Sequence, residues 1–162
     1  MPWKIHGAER IIVKGILYTF FISMVPVIEL RGGIPAGVAA GLPVFWAALV
    51  SIVGNMIPVP FVLIFIRKLL YWMEGKSSVL GKFAKKLKDK ADANKEKVLK
   101  YEFWGLVLLV AIPLPGTGAY TGALVAAMVD MQIKRAVPAV FIGVVIAAIV
   151  VSLATAGVVA VW

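Results

Sequence analysis

The chain contains no cysteine and a single histidine, His6. Disulfide frameworks and thiolate metal sites are therefore excluded, and a histidine-built metal or catalytic cluster has nothing to assemble from. Acidic residues are scarce, with 8 Asp+Glu against 17 Lys+Arg and a net charge of +9. The largest absence is of charge itself. Residues 32–66 carry no charged side chain over 35 positions, and residues 103–129 and 136–162 carry none over 27 positions each. Serine–histidine–aspartate sets and phosphate-binding Walker loops are missing too. The expectation is a protein that is not an enzyme and uses no metal or cofactor.

What is present is apolar. The 62% hydrophobic content lies well above the roughly 45–50% of soluble domains. Uncharged runs longer than about 18 residues are of membrane-spanning length, and one soluble core of this size could not hide three of them. A cleavable signal would be a single short run near the start, and the alternation of a membrane β-barrel is absent. Eleven of the basic residues fall in residues 67–100. Such clusters beside membrane helices mark the cytoplasmic face and its anionic lipids rather than a nucleic-acid surface. The chain is thus expected to be an all-α, multi-pass protein of the cell membrane, with the lipid bilayer as its first partner and no nucleic acid.

The polar stretch 67–102 divides the chain into two similarly organised halves. Within it, Lys85/Asp89, Lys88/Asp92 and Glu96/Lys100 are i,i+4 pairs that support a cytoplasmic surface helix or a solvated linker. In residues 1–66 an apolar arm meets PVIELRGGIPAG, a short arm follows to Leu42, and residues 43–66 form a long apolar run. In residues 103–162 an arm meets PLPGTGAYTGA, a short arm follows, and residues 136–162 form the second long run. Pro26 matches Pro113 and Gly32 matches Gly118 in this comparison. Arms of 10 or 11 residues reach only half way through a bilayer core of about 30 Å, and the Pro/Gly blocks break the helix between them. Two re-entrant hairpins (11–42 and 103–131), each followed by one transmembrane helix (43–66 and 136–162), result. Because a re-entrant hairpin leaves on the side it entered, the two halves must be inverted repeats. That arrangement puts 13 basic residues inside and Lys4, Arg10 and Lys14 outside, in keeping with the positive-inside rule. The arm starting at Ile11 is also long enough to span with a tilt.

Glu29 and Arg31 stand inside the first apolar block, beside Gly32, Gly33 and Pro35. Charges at mid-membrane cost several kcal/mol unless paired or wetted, so they mark function by default. On an unwound Pro/Gly segment they would converge, Arg31 holding an anionic headgroup and Glu29 exchanging a proton; the bland counterpart is a fixed ion pair. Gly116, Thr117, Gly118, Tyr120 and Thr121 offer backbone amides and hydroxyls ahead of a helical arm, which suits an anion or simply close packing. A site shared by both tips would use both clusters. Asn55 is a candidate for lining the pathway, and Asp130 and Arg135 flank the mouth of the second hairpin, where an interfacial ion pair is the simpler role. Gly143, Ala147, Ala148, Ser152 and Ala156 make a small-residue face.

VPVIELRGGIPAG, followed about 85 residues later by IPLPGTGAYTGALVAA, resembles the small multi-drug export protein family over nearly the whole chain. The layout is also similar to the DedA superfamily of paired re-entrant hairpins. What the DedA resemblance implies is proton-driven movement of lipid carriers such as undecaprenyl phosphate, with Glu29 at the acidic position of the first hairpin. The basic residue of the second DedA hairpin is replaced here by the stretch 117–120, leaving Arg31 or Arg135 to serve. Three functions follow as expectations: a transporter or flippase for an amphiphile such as a lipid phosphate, an exporter of cationic drugs with Glu29 as counter-ion, or a membrane scaffold. A small homodimer is compatible with this length.

Overall fold

The computed structural model describes residues 3–74, 95–114 and 117–161, and the described residues are helical with no strand. Seven helices are present among them: α1 Trp3–Ser23, α2 Glu29–Ala39, α3 Val44–Met56, α4 Pro58–Glu74, α5 Lys95–Ala111, α6 Ala119–Met128 and α7 Ile133–Val161. They fall into two compact units, Met1–Pro58 with Val144–Trp162, and Val59–Gly143. The expected surface helix lies largely in residues 75–94, outside the described residues.

In the first unit α1, α2 and α3 pack against one another. Their direction follows from the glycines. A methyl added at Gly33 would strike Ser23 Oγ and Ser51 Oγ. One added at Gly37 would lie 2.5 Å from Thr19 Oγ1 and 3.0 Å from Ala47 Cβ. As α2 advances by one turn, both neighbours retreat by one turn, so α2 runs antiparallel to α1 and to α3. Close approach of backbones is what glycine at a helix contact permits. At Gly54 of α3 a methyl would lie 2.6 Å from the Phe20 carbonyl oxygen of α1.

The second unit uses the same devices. Gly122 of α6 lies against Val110 and Leu106 of α5 and Val140 of α7, and Gly143 of α7 lies against Val110 and the Val107 carbonyl. Gly122 and Gly143 stand 89 positions after Gly33 and Gly54. The helix stops recur at the same offset. Gly41 (φ 91°) ends α2 and Asp130 (φ 53°) ends α6. Leu42 N–H donates to Gly37 O at 3.0 Å, and Met131 N–H donates to Ala126 O at 2.9 Å. Each is a Schellman closure, with a buried apolar residue after the left-handed position.

Two continuous stretches of 29 residues, Val44–Trp72 and Ile133–Val161, are long and apolar enough to cross a membrane. The 11 residues of α2 and 10 of α6 reach only about 15–16 Å. Several boundaries differ from those expected. The first break falls at residues 24–28, and Gly32, Gly33 and Pro35 are helical rather than unwound. The glycines serve α2 as a packing face, and Pro35 sits within the helix at the cost of one N–H that would have met the Arg31 carbonyl. The helix of the first long run continues past Ile66 to Glu74, because Arg67, Lys68, Leu69 and Leu70 are good helix formers. Similarly, α1 begins at Trp3 and α5 at Lys95, upstream of the apolar arms. Pro58 opens α4 at a first helical position, where its missing N–H costs nothing. The packing register matches Gly118 with Glu29 rather than with Gly32.

Candidate functional site

Glu29 opens α2 with φ 52° and is 5% exposed. A left-handed, non-glycine residue costs roughly 1–2 kcal/mol, and burying a carboxylate adds to that. At the matching position the second unit has Gly118, with φ 154°. The second unit thus starts α6 from a glycine in a different backbone conformation, whereas the first starts α2 from a left-handed glutamate. Such local strain collects at functional sites. Arg31, two residues on, is half-buried and within the electrostatic reach of Glu29. The two are in the first turn of α2, so their separation is set by a helix and not by an unwound loop. Gly32 is half-buried on the same turn, against Ile28, and Gly33 faces the serines.

Among the described residues the buried polar or charged side chains are Thr19, Ser23, Glu29, Ser51 and Asn55. All of them belong to the three-helix contact of the first unit. Thr19 Oγ1 donates to Gly15 O and Ser23 Oγ to Thr19 O, each at 2.7 Å. Ser51 Oγ and both polar atoms of the Asn55 amide have no hydrogen-bond partner, although both residues are fully buried. Asn55 was legible from the sequence as a polar residue in an apolar helix. The seam it belongs to was not, because the α2–α3 register is set by Gly33 and Gly37.

In the second unit Thr117 Oγ1 reaches the carbonyls of Ile112 and Leu114 at 2.8 and 2.9 Å, so this hydroxyl closes the turn after α5. Gly118 caps α6, and Gly122 N–H closes the first helical bond on Gly118 O at 2.8 Å. Tyr120 and Thr121 are half-buried in that first turn. Gly116 lies outside the described residues. Asp130 is exposed and supplies the helix stop. Arg135 is exposed and attracts Glu102 of α5, a partner the sequence did not suggest. Burial lifts the Glu102 carboxyl above its ordinary range, and the Arg135 attraction opposes this.

Two further features escaped sequence reasoning. The outer face of α1 carries an apolar groove of about 510 Å³ lined by Leu17, Tyr18, Phe21, Ile22 and Val25, with Lys14 at its end. In α4, Nε and Nη2 of Arg67 are buried without a hydrogen-bond partner; the sequence had counted this residue only as cytoplasmic charge.

The described residues are all helical, and two of the helical stretches have the length and hydropathy of membrane-spanning segments. Residues 29–150 match the family model described as "Putative small multi-drug export protein", and the chain belongs to that family. The match begins at Glu29 and takes in α2 through most of α7. No curated protein and no solved structure gives a significant match.

Proposed function

We propose that this protein is a small membrane transporter or flippase that moves an amphiphile with an anionic headgroup, favouring a polyprenyl-phosphate-type lipid, with proton coupling through Glu29. The observation that carries it is Glu29 itself, a carboxylate buried at a strained helix start beside Arg31. In the second unit Gly118 stands in its place, so α6 starts without a carboxylate. Arg31 supplies the charge for the headgroup, with Gly32 beside it on the same turn of α2. The groove ending at Lys14 is shaped for a hydrocarbon chain with a negative end.

The topology we propose with this function is DedA-like: α1–α2 and α5–α6 as re-entrant hairpins, and the two 29-residue stretches as the membrane crossings. The halves are then inverted, the basic residues 67–102 are cytoplasmic, and two copies form the working assembly. The constant 89-residue offset between matching glycines and helix stops supports a duplicated unit. The second reading is export of small cations, favoured by the family's description and by the buried negative charge of Glu29. Competition binding separates the two. A lipid phosphate should displace a bound polyprenyl-phosphate probe, and a quaternary ammonium should not, with Arg31→Gln lowering lipid affinity by about tenfold or more, the scale of one lost charge-assisted contact. Displacement by the ammonium alone would favour drug export, and displacement by neither would leave a scaffold.

A further inference from the structure

Four of the five buried polar residues of the α1–α2–α3 contact have buried apolar counterparts at the matching positions of α5 and α7. Two matched pairs of packing glycines set the comparison: Gly33 with Gly122, and Gly54 with Gly143. On the α3 and α7 side, Ser51 corresponds to Val140 and Asn55 to Val144, all four buried. On the α1 and α5 side, Thr19 corresponds to Leu106 and Ser23 to Val110, again all buried. The packing is thus achievable with leucine and valine, and the polar set is not what the fold requires. Burying an amide with neither edge bonded is destabilising, so a purely structural role would favour its replacement.

The set also has a direction. Across α2 and α3, Gly37 faces Ala47 and Gly33 faces Ser51. The next turn of this antiparallel register brings position 29 level with position 55. Glu29 and Asn55 are therefore partners in register at the end of a seam that passes Ser51 and Ser23. Polar side chains one turn apart on a helix, as Ser51 and Asn55 are, lie about 5–6 Å from each other, a gap that one water bridges. The close approach around Gly33 leaves no room for a headgroup. The unbonded atoms include both a donor (Asn55 Nδ2) and acceptors (Asn55 Oδ1, Ser51 Oγ). A metal cation would satisfy only the acceptors, whereas water satisfies both.

We propose that Ser51 and Asn55, with the lone pairs of Ser23, bind water in a buried seam that carries protons to and from Glu29. This rests on Glu29 as the proton-coupling group. The carboxylate takes a proton from a seam water, that water takes one from its neighbour, and the number of waters is unchanged. Among the described residues of this unit, charged and titratable groups around Glu29 are few. Arg31 faces it from its own helix. Neither α3 nor residues 144–161 of α7 has a titratable side chain. From α1, Lys14 and Tyr18 are exposed and lie beyond the level of Gly37.

The test is infrared spectroscopy of the full-length protein in lipid, following the protonated Glu29 carboxyl band, which Glu29→Gln identifies by deleting it. In D₂O the wild-type band should shift as soon as it can be recorded. Ser51→Val with Asn55→Leu, which copies the apolar character of Val140 and Val144, should slow that exchange by about tenfold or more, as expected when a polar relay is replaced by hydrocarbon. Ser51→Val alone decides the matter if the double variant does not fold, and Asn55→Ser should keep exchange fast. Equal exchange rates in wild type and the apolar variants, or no Glu29-dependent band at any pH at which the protein stays folded, would overturn the seam. Substrate flux in proteoliposomes is recorded separately. Absent flux with fast, seam-dependent exchange would defeat the transport function and leave the seam standing.

Discussion

Glu29 and Asp130 are the described non-glycine residues with positive φ, and each has a glycine at the matching place in the other unit: Gly118 and Gly41. The backbone therefore tolerates glycine at both positions, and substitution separates structure from function. Asp130→Gly should raise stability by about 0.5–1 kcal/mol, since glycine removes the left-handed penalty that aspartate only partly escapes, and should leave transport intact. Glu29→Gly should also be stabilised, by about 1 kcal/mol or more once the carboxylate burial is relieved, and should lose transport. Thermal unfolding in detergent, read beside flux, distinguishes the two. A destabilised Glu29→Gly variant would make the carboxylate a structural element. Glu102 gives a pH test away from the membrane arms. Its raised carboxyl means that the folded protein binds the proton more tightly than the unfolded chain does. That contribution is complete below the ordinary carboxylate range and is lost as pH rises through the raised value. Glu102→Gln should therefore raise the melting temperature at neutral pH, with the difference closing in acid. At this scale the sequence singled out Glu29, Arg31 and Asn55 as polar residues in apolar surroundings, and the structure buries Glu29 and Asn55 and half-buries Arg31. It could not reveal that Thr117 closes its own turn or that Arg135 faces Glu102, because both depend on where the chain reverses.

At the scale of elements, the glycines divide by what surrounds them. A methyl at Gly54 would meet the Phe20 carbonyl oxygen, and one at Gly143 would meet Val110 and the Val107 carbonyl, while Gly105 and Gly157 have open space. Backbone carbonyls inside helices have little freedom to move. Gly54→Ala and Gly143→Ala should therefore each cost about 1–3 kcal/mol, whereas Gly105→Ala and Gly157→Ala should be neutral or gain about 0.5–1 kcal/mol. Melting temperatures of the four single variants check this, and equal losses at all four would remove the packing account. The helical class and the two long runs were legible because residues 43–66 and 136–162 are unbroken apolar stretches of 24 and 27 residues. The helix starts and the first break were not, since Pro35, Gly32 and Gly33 are read locally as breakers but are kept helical by contacts with α1 and α3. The tighter signal was spacing: Gly33 and Gly54 are 21 residues apart, as are Gly122 and Gly143. That recurrence carries the packing register more directly than the Pro/Gly blocks do.

For the whole molecule, the proposed topology makes a directional claim that a chain without cysteine is well suited to test. A single cysteine replacing Lys68 or Lys134 should react with an impermeant maleimide only from the cytoplasmic side, and one replacing Gly41 only from the outside, as the positive-inside bias requires. Labelling of position 41 and position 134 from the same side would refute the inverted halves. The central claim is that Glu29 and Arg31 together move an anionic amphiphile, and movement of a polyprenyl phosphate across proteoliposomes under a proton gradient tests it most directly. Wild-type protein and Gly105→Ala should give saturable movement, and Glu29→Gln and Arg31→Gln should each reduce it by about tenfold or more, the scale expected for a lost charge-assisted contact. Wild-type vesicles no faster than protein-free ones, or an Arg31→Gln variant as fast as wild type, would contradict it.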